Sequence, residues 1–259
     1  MLVAHNTINE RCIAWETKKD QTPFYCPACK GEVTLKKGPK REHQYAHKPP
    51  VHCAYGATES QLHLHAKREI YNVLINHHDC KKCEIERSTL DGVRPDISLR
   101  IRNLPVAIEV QSSSIDVYDI IRRTKRYSDL GIYLMWLIPN HEPTTFWREK
   151  EFKWVHRIKE WEKFIHKMYF DQLYFWQGGL MVRPYKFEPL EIYVEESEWH
   201  GEYGEVQYGG GYTKIAKTLT VPNSGKFFNI VDDFKPIRQT NMKFDYYTIP
   251  DFKLWADKY

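Results

Sequence analysis

Between residues 96 and 111 apolar and polar positions alternate. In Pro105-Val106-Ala107-Ile108-Glu109-Val110-Gln111, a period of two predicts a strand and sends Glu109 and Gln111 to one face. The stretch before it, Asp96 to Ile101, buries Ile97, Leu99 and Ile101 and leaves Asp96 and Ser98 on the opposite side. Asn103-Leu104-Pro105 reads as the turn that makes the two a hairpin. Upstream, Thr58-Glu59-Ser60-Gln61 has the form of a capping box with Thr58 as N-cap. Leu62, Ala66, Ile70, Val73 and Leu74 then follow at helical spacing, which predicts a helix from there to Asn76. A second helical stripe, Val117, Ile120, Ile121, Thr124, Tyr127 and Leu130, runs through Asp116 to Leu130. The unbroken apolar run Ile132 to Ile138 suits a strand buried on both faces. With Glu84 to Ser88 as a further strand, the order is helix, three strands, helix, strand. It predicts an α/β (α+β) fold, a central mixed sheet flanked by helices.

Flanking segments are less regular. Residues 1–57 read as a short strand pair leading into a cysteine- and histidine-bearing loop, residues 58–140 as the core, and residues 141–259 as a C-terminal α+β extension. In that extension Trp154, Ile158, Trp161, Ile165 and Met168 predict one helix over Phe152 to Met168. Strands around Gln172 to Trp176 and Leu180 to Lys186 are joined by Gln177-Gly178-Gly179, and Leu190 to Glu195 is strand-like. Tyr203 to Tyr212, punctuated by Gly209-Gly210-Gly211, reads as a flexible loop.

The hairpin supplies the first candidate chemistry. It brings Asp96 near Glu109, within reach of one ion, and two carboxylates with a side-chain carbonyl suit Mg²⁺ or Mn²⁺. Glu59, His63 and Lys67 recur every four residues, so they form a polar stripe beside the apolar face of the first helix. An isolated acidic residue or polar stripe is ordinarily just solvated. Hairpin and helix together favour a site, with Glu59 completing the ligand set, Gln111 placing a water, and His63 or Lys67 meeting phosphate.

A second site is proposed by Cys26 and Cys29, followed by His43, His47, His52 and Cys53. Cys26, Cys29, His47 and Cys53 leave two, seventeen and five residues between ligands, a set suited to tetrahedral, structural Zn²⁺. His43 is the rival for the third position. Residues 16–57 hold few large aliphatic side chains, so this segment is expected to gain order from the metal. Cys80-Lys81-Lys82-Cys83 repeats the spacing but reads better as a tight turn.

Composition narrows this only slightly. The chain has 259 residues, 38 Lys plus Arg against 34 Asp plus Glu, and a net charge of +4, so charge alone does not announce a nucleic-acid binder. Its distribution says more. Arg122, Arg123, Lys125 and Arg126 cluster on the second helix, and Lys153, Arg157, Lys159, Lys163 and Lys167 lie along Phe152 to Met168. Basic faces beside an acidic site suit a phosphodiester, although charged outer faces are also the rule for amphipathic helices. Arg122, Arg123 and Arg126 are the candidate phosphate contacts. No secretory signal or membrane-length apolar run is visible, and six cysteines among histidines read as ligands and free thiols, which together suggest a cytoplasmic protein.

The sequence also resembles a known family. The opening Met1-Leu2-Val3-Ala4, the Cys26-Pro27-Ala28-Cys29 turn, His43-Gln44-Tyr45-Ala46-His47-Lys48, Glu59-Ser60 with His63 and Lys67, and Ala107-Ile108-Glu109-Val110-Gln111-Ser112 occur in the order seen in the competence protein CoiA-like family. More broadly the core resembles the PD-(D/E)XK nuclease superfamily. The resemblance covers about residues 1–140. It implies a restriction-endonuclease-like core with Asp96 and Glu109 as Mg²⁺ or Mn²⁺ ligands, DNA as substrate, and recombination, competence or defence proteins as partners. It also implies a lysine where Gln111 stands, so a second metal or a basic neighbour such as Lys67 must help. The alternative is a DNA-binding or assembly module that keeps the fold without turnover.

Overall fold

The computed structural model describes residues 1–50, 53, 55, 59–240, 242–248 and 251–257. Thr58, expected as a helix cap, and His52 lie outside the described residues. The architecture is mixed α+β, mostly sheet, with three α-helices among the described residues.

The first strands are β1 (Val3–His5), β2 (Arg11–Ile13), β3 (Phe24–Tyr25), β4 (Glu32–Gly38) and β5 (Arg41–His47), forming one antiparallel sheet in the order β2-β1-β3-β4-β5. This is more than the expected strand pair. Phe24, Val33, Leu35 and Tyr45 close a small apolar core of their own with Met1, Ala4, Ala14 and Cys26.

Helix α1 (Gln61–Leu74) starts later than expected. Its N-cap is Ser60, whose hydroxyl accepts from the His63 amide at 3.1 Å. The buried face is also rotated from the one the apolar spacing predicts. Leu64, Ala66, Ile70, Tyr71 and Leu74 point inward together with Lys67, while Leu62 and Val73 are 37% and 39% exposed. The helix rests on both β5 and the core sheet, so its inward arc follows two surfaces rather than one.

That core sheet contains β6 (Cys80–Ile85), β7 (Ile97–Ile101), β8 (Leu104–Val110) and, after helix α2 (Val117–Asp129), β9 (Tyr133–Leu137). β6, β7 and β8 run antiparallel, and β9 is parallel to β8, a pairing that needs a crossover such as α2. The expected order of helix, three strands, helix, strand is therefore present. Two details differ. The β7–β8 turn is Arg102-Asn103, both at positive φ (48° and 68°) as a twisted two-residue hairpin turn requires, so Leu104 and Pro105 belong to the strand. Cys80 to Cys83 lies in a strand, not a turn, because Cys80 and Lys81 pair with Ile101 and Arg100, and a bulge near Lys82 (φ 53°) absorbs the extra residues before Glu84 pairs with Ser98.

Strands Phe234–Gln239 and Phe252–Asp257 extend the sheet beyond β9, so the last part of the chain packs into the core rather than beside it. In sequence between α2 and these strands comes a second large sheet built on Met181–Val194 and Tyr212–Ser224. Phe152 to Met168 is not one helix. Lys153–Arg157 is a strand paired with Thr145–Arg148, and helix α3 covers only Glu160–Met168. Val155 and His156 are buried while Lys153 and Trp154 face solvent, so strand pairing decides the conformation here and burial periodicity does not. Tyr203 to Tyr212 is likewise no loop throughout, since Val206–Gly209 pairs with Ser197–His200. No helix is long and apolar enough to cross a membrane among the described residues.

Candidate metal centres and their surroundings

Ser60 caps α1 and turns its first residues toward the end of β7. His63 and Lys67 lie one turn apart on the same side of the helix. The β7–β8 register pairs Ile97 with Ile108, which sets Asp96 across from Glu109, as the hairpin predicts. Asp96 is held firmly: its carboxylate accepts from the Val110 amide at 2.9 Å, and its carbonyl accepts from the Glu86 amide at 2.8 Å.

Glu59, His63 and Asp96 bring one ligand atom each within 4.8 Å of one another. His63 Nε2 lies 3.4 Å from Asp96 Oδ2 and 4.0 Å from Glu59 Oε1, and it is buried without a hydrogen-bond partner. An orphaned imidazole nitrogen between two carboxylates is a donor set that fits a divalent cation, Mn²⁺ more readily than Mg²⁺ because of the nitrogen.

Lys67 is predicted, with Glu59 and His63, on a polar stripe within reach of phosphate. It is instead completely buried, with its Nζ 2.5 Å from Glu59, 2.7 Å from Glu86 and 3.2 Å from Asp96. Burial opposes its charge, but Glu86, Asp96 and Glu59 overcome this and hold the ammonium well above the usual lysine range. The same contacts work in reverse on the acids. Burial disfavours ionised Asp96 and Glu59, yet Lys67 keeps Asp96 well below the ordinary carboxylate range and Glu59 down at about 2. Glu86 escaped the sequence reading. It is 1% exposed and its carboxylate accepts from the Leu2 and Val3 amides at 2.9 and 3.2 Å, so it ties the N-terminal sheet to the acidic cluster.

Glu109 stands apart from that cluster. Tyr127 donates to its Oε1 at 2.7 Å, and Arg123 pairs with its Oε2 at 2.5 Å while its guanidinium lies 5.1 Å over the Trp136 ring. Burial raises the Glu109 carboxyl, with Arg123 opposing and Asp96 adding to the rise. Gln111 is 9% exposed and its amide donates to the Ser113 carbonyl at 2.6 Å, which fixes the direction of its own carbonyl. The outer arginines of α2 are differently placed: Arg122 pairs with Asp119 at 3.0 Å on the surface, and Arg126 holds Asp91.

The second centre is Cys26, Cys29, His47 and Cys53, whose ligand atoms all lie within 4.8 Å of one another. Sheet register explains why His47 and not His43 is there. Phe24 pairs with Val33 and Val33 with His47, which puts His47 two strands from the Cys26 turn, whereas His43 lies about 13 Å farther along β5. Just after Cys29, the Lys30 amide closes the turn by donating to the Cys26 carbonyl at 3.0 Å, with Lys30 at φ 60°. The Gly31 amide donates to Cys29 Sγ and the Tyr55 amide to Cys53 Sγ, both at 3.4 Å. Amide donors aimed at sulfur stabilise thiolate, and Gly31 is the first cause holding Cys29 below the ordinary thiol range, whereas burial pushes Cys26 up to about 11. Among the described residues Cys80 and Cys83 are not grouped with other ligands; they pack half-buried against the core, and burial raises them to about 12 and about 11.

Comparison with known proteins follows this division. The family model described as "Competence protein CoiA, N-terminal domain" matches residues 8–56, and "Competence protein CoiA, nuclease-like domain" matches residues 59–177. Among curated proteins, the competence protein CoiA of Bacillus subtilis (strain 168) is 30% identical over 138 residues, covering 51% of this chain and 36% of that protein. The chain thus matches about a third of the length of that relative. No solved structure matches.

Proposed function

As this chain belongs to the CoiA-like family, we propose that it is a divalent-metal-dependent DNA nuclease with a restriction-endonuclease-like core, serving competence and recombination or phage defence. The observation that supports this best is the Glu59, His63 and Asp96 cluster at the junction of α1 and β7, with Asp96 buried and the other two half-buried, beside a fully buried lysine.

In this reading Glu59, His63 and Asp96 would hold Mg²⁺ or Mn²⁺. Such an ion, when bound, polarises a phosphoryl oxygen and makes water more acidic. The chain's own residues then do the positioning. Lys67 binds the carboxylates together and supplies the positive charge that the superfamily places at position 111. Gln111 orients the attacking water through its fixed carbonyl. Glu109 is reassigned from ligand to positioning group: it holds Arg123, 24% exposed, ready for a phosphate oxygen, with Arg122 and Arg126 farther out along α2. Hydrolysis forms a bond from water oxygen to phosphorus and breaks one P–O ester bond, the leaving oxygen taking a proton.

Cys26, Cys29, His47 and Cys53 would hold structural Zn²⁺. Three sulfurs and one imidazole are the donor set that tetrahedral zinc prefers.

The test is cleavage of single-stranded, supercoiled and branched DNA by purified protein with EDTA, Mg²⁺ or Mn²⁺, beside Asp96→Ala and Glu109→Ala. Metal-dependent products lost in Asp96→Ala support the reading, with Glu109→Ala weakened rather than silent. Binding without cleavage under every condition would replace it with a DNA-handling module.

A further inference from the structure

β8 and β9 run parallel and end at one rim, and beyond that rim the chain leaves a cavity of about 460 Å³. This is the size of sites that hold small molecules, and the carboxyl ends of parallel strands are where open sheets tend to place them. The cavity begins at Ser112, next to Gln111, and continues along Phe146, Arg157, Lys159, Trp161 and Phe175. Ser112 Oγ lies 3.5 Å from the hydroxyl of Ser60, the cap of the helix that carries His63, so cavity and acidic cluster adjoin.

Three features give this cavity a chemistry. Its lining is aromatic, with Phe146 40% exposed at the mouth and Trp161 and Phe175 deeper. Trp161 is 4% exposed, and its indole N–H is buried with no hydrogen-bond partner, a loss of about 1–3 kcal/mol unless an acceptor arrives. Arg157 and Lys159 are exposed at the edge, and among the described residues neither forms an ion pair; Lys159 Nζ lies 5.9 Å over the Trp161 ring. Two carboxylates line the cavity: Glu142, exposed to solvent, and Glu162, which is already engaged. Glu162 faces His156 Nε2 at 3.2 Å and accepts from the Lys159 amide at 2.7 Å, while His156 Nδ1 meets the Thr144 carbonyl at 2.8 Å. That buried pair fixes the wall instead of repelling an anion.

We propose that this cavity takes one unpaired nucleotide of the DNA strand being processed. The base lies against Phe146 and Trp161 with a ring or carbonyl acceptor on the indole N–H, and a neighbouring phosphate meets Arg157 and Lys159. Every base offers an acceptor and a flat face, so the pocket is tolerant of sequence but selective for strand form: a paired base must leave its stack to enter. The inference rests on the nuclease reading and sharpens it toward single-stranded or frayed DNA.

The test measures binding in EDTA, where cleavage cannot interfere, of a fluorescein-labelled single strand and of the blunt duplex made from it. Wild-type protein is expected to bind the single strand about tenfold tighter, the scale of stacking one base. Phe146→Ala and the Arg157→Ala/Lys159→Ala pair, all at exposed positions and checked by thermal melting, should each lose most of that preference while duplex binding changes little. Trp161→Phe keeps the ring face and removes the donor, and should fall between them. Single-strand binding unchanged in these variants overturns the proposal, as does an equal loss on both DNA forms, which would mean charge alone. Cleavage with Mn²⁺ is scored separately. A protein that never cuts but shows pocket-dependent binding overturns the nuclease reading and supports the pocket. One that cuts normally with a disabled pocket does the reverse.

Discussion

Lys67 and Glu86 carry the account at the level of single residues. A lysine with no exposure is stabilised by its three carboxylates, and removing it takes the nearest counter-charge from Asp96 and Glu86, while the Met1 ammonium still holds Glu59 at 2.8 Å. Lys67→Met is therefore expected to cost about 3–5 kcal/mol in chemical denaturation, far above the effect of a surface lysine; a loss under about 1 kcal/mol would contradict the buried arrangement. The sequence pointed to Lys67 as a neighbour of the site but not to its burial, since a charged residue flanking a helix's apolar face is normally solvated. Glu86 gave no periodic signal at all, because its partners Leu2 and Val3 lie 84 and 83 residues away. A separate residue sets a pH limit on stability. Burial pushes His166 down to about 4, and its Nε2 accepts from the Phe187 amide at 3.2 Å, while Asp171 at 3.9 Å only partly opposes this. Its ordinary value is about 6.5, so between the two values the unfolded chain holds a proton that the folded one does not. Stability is then full above about pH 6.5 and falls as pH drops toward 4, by up to about 1.4 kcal/mol per unit. Urea melts at pH 7 and pH 5 should show His166→Phe losing less than wild type on acidification.

Among the elements, the cysteine and histidine centre was the most legible, because ligand spacing and residue type are local signals. The fold groups His47, not His43, with the three cysteines, and the sheet register supplies the reason. What the sequence underplayed was the sheet around it, whose apolar residues are few but converge on one small core. This sets the expected outcome of metal removal. If zinc occupies the centre, purified protein should carry it in equimolar amount, and Cys29→Ser should lose it. Amide exchange should then quicken over β3 to β5 while α1 and β7 to β9 stay protected, since the second core is separate. Exchange rising through the whole chain would contradict that separation. Lys153–Arg157 shows the opposite failure: a helical count was available there, yet pairing with Thr145–Arg148 and Tyr212–Ser224 decided the outcome.

At the scale of the whole molecule, the order of helix, three strands, helix and strand was readable because each element is periodic, whereas closure of the sheet by distant strands was not. Phe252–Asp257 pairs in parallel with β9 through Leu254 and Leu134, and Trp255, 1% exposed, donates to the Ile230 carbonyl at 2.7 Å. Nothing local in Phe252-Lys253-Leu254-Trp255 announces that partner. Trp255→Ala should accordingly destabilise the entire core by about 3–5 kcal/mol in a single cooperative transition. Nuclease chemistry and architecture meet at the junction of α1, β7 and β8, so the central claim is that Glu59, His63 and Asp96 form a divalent-cation site. Electron paramagnetic resonance of Mn²⁺ titrated into wild-type protein, Asp96→Asn and Glu109→Gln tests this most directly. The account predicts a bound ion in wild type, lost in Asp96→Asn and kept in Glu109→Gln; Mn²⁺ binding that survives Asp96→Asn, or that is absent from wild type, would contradict it.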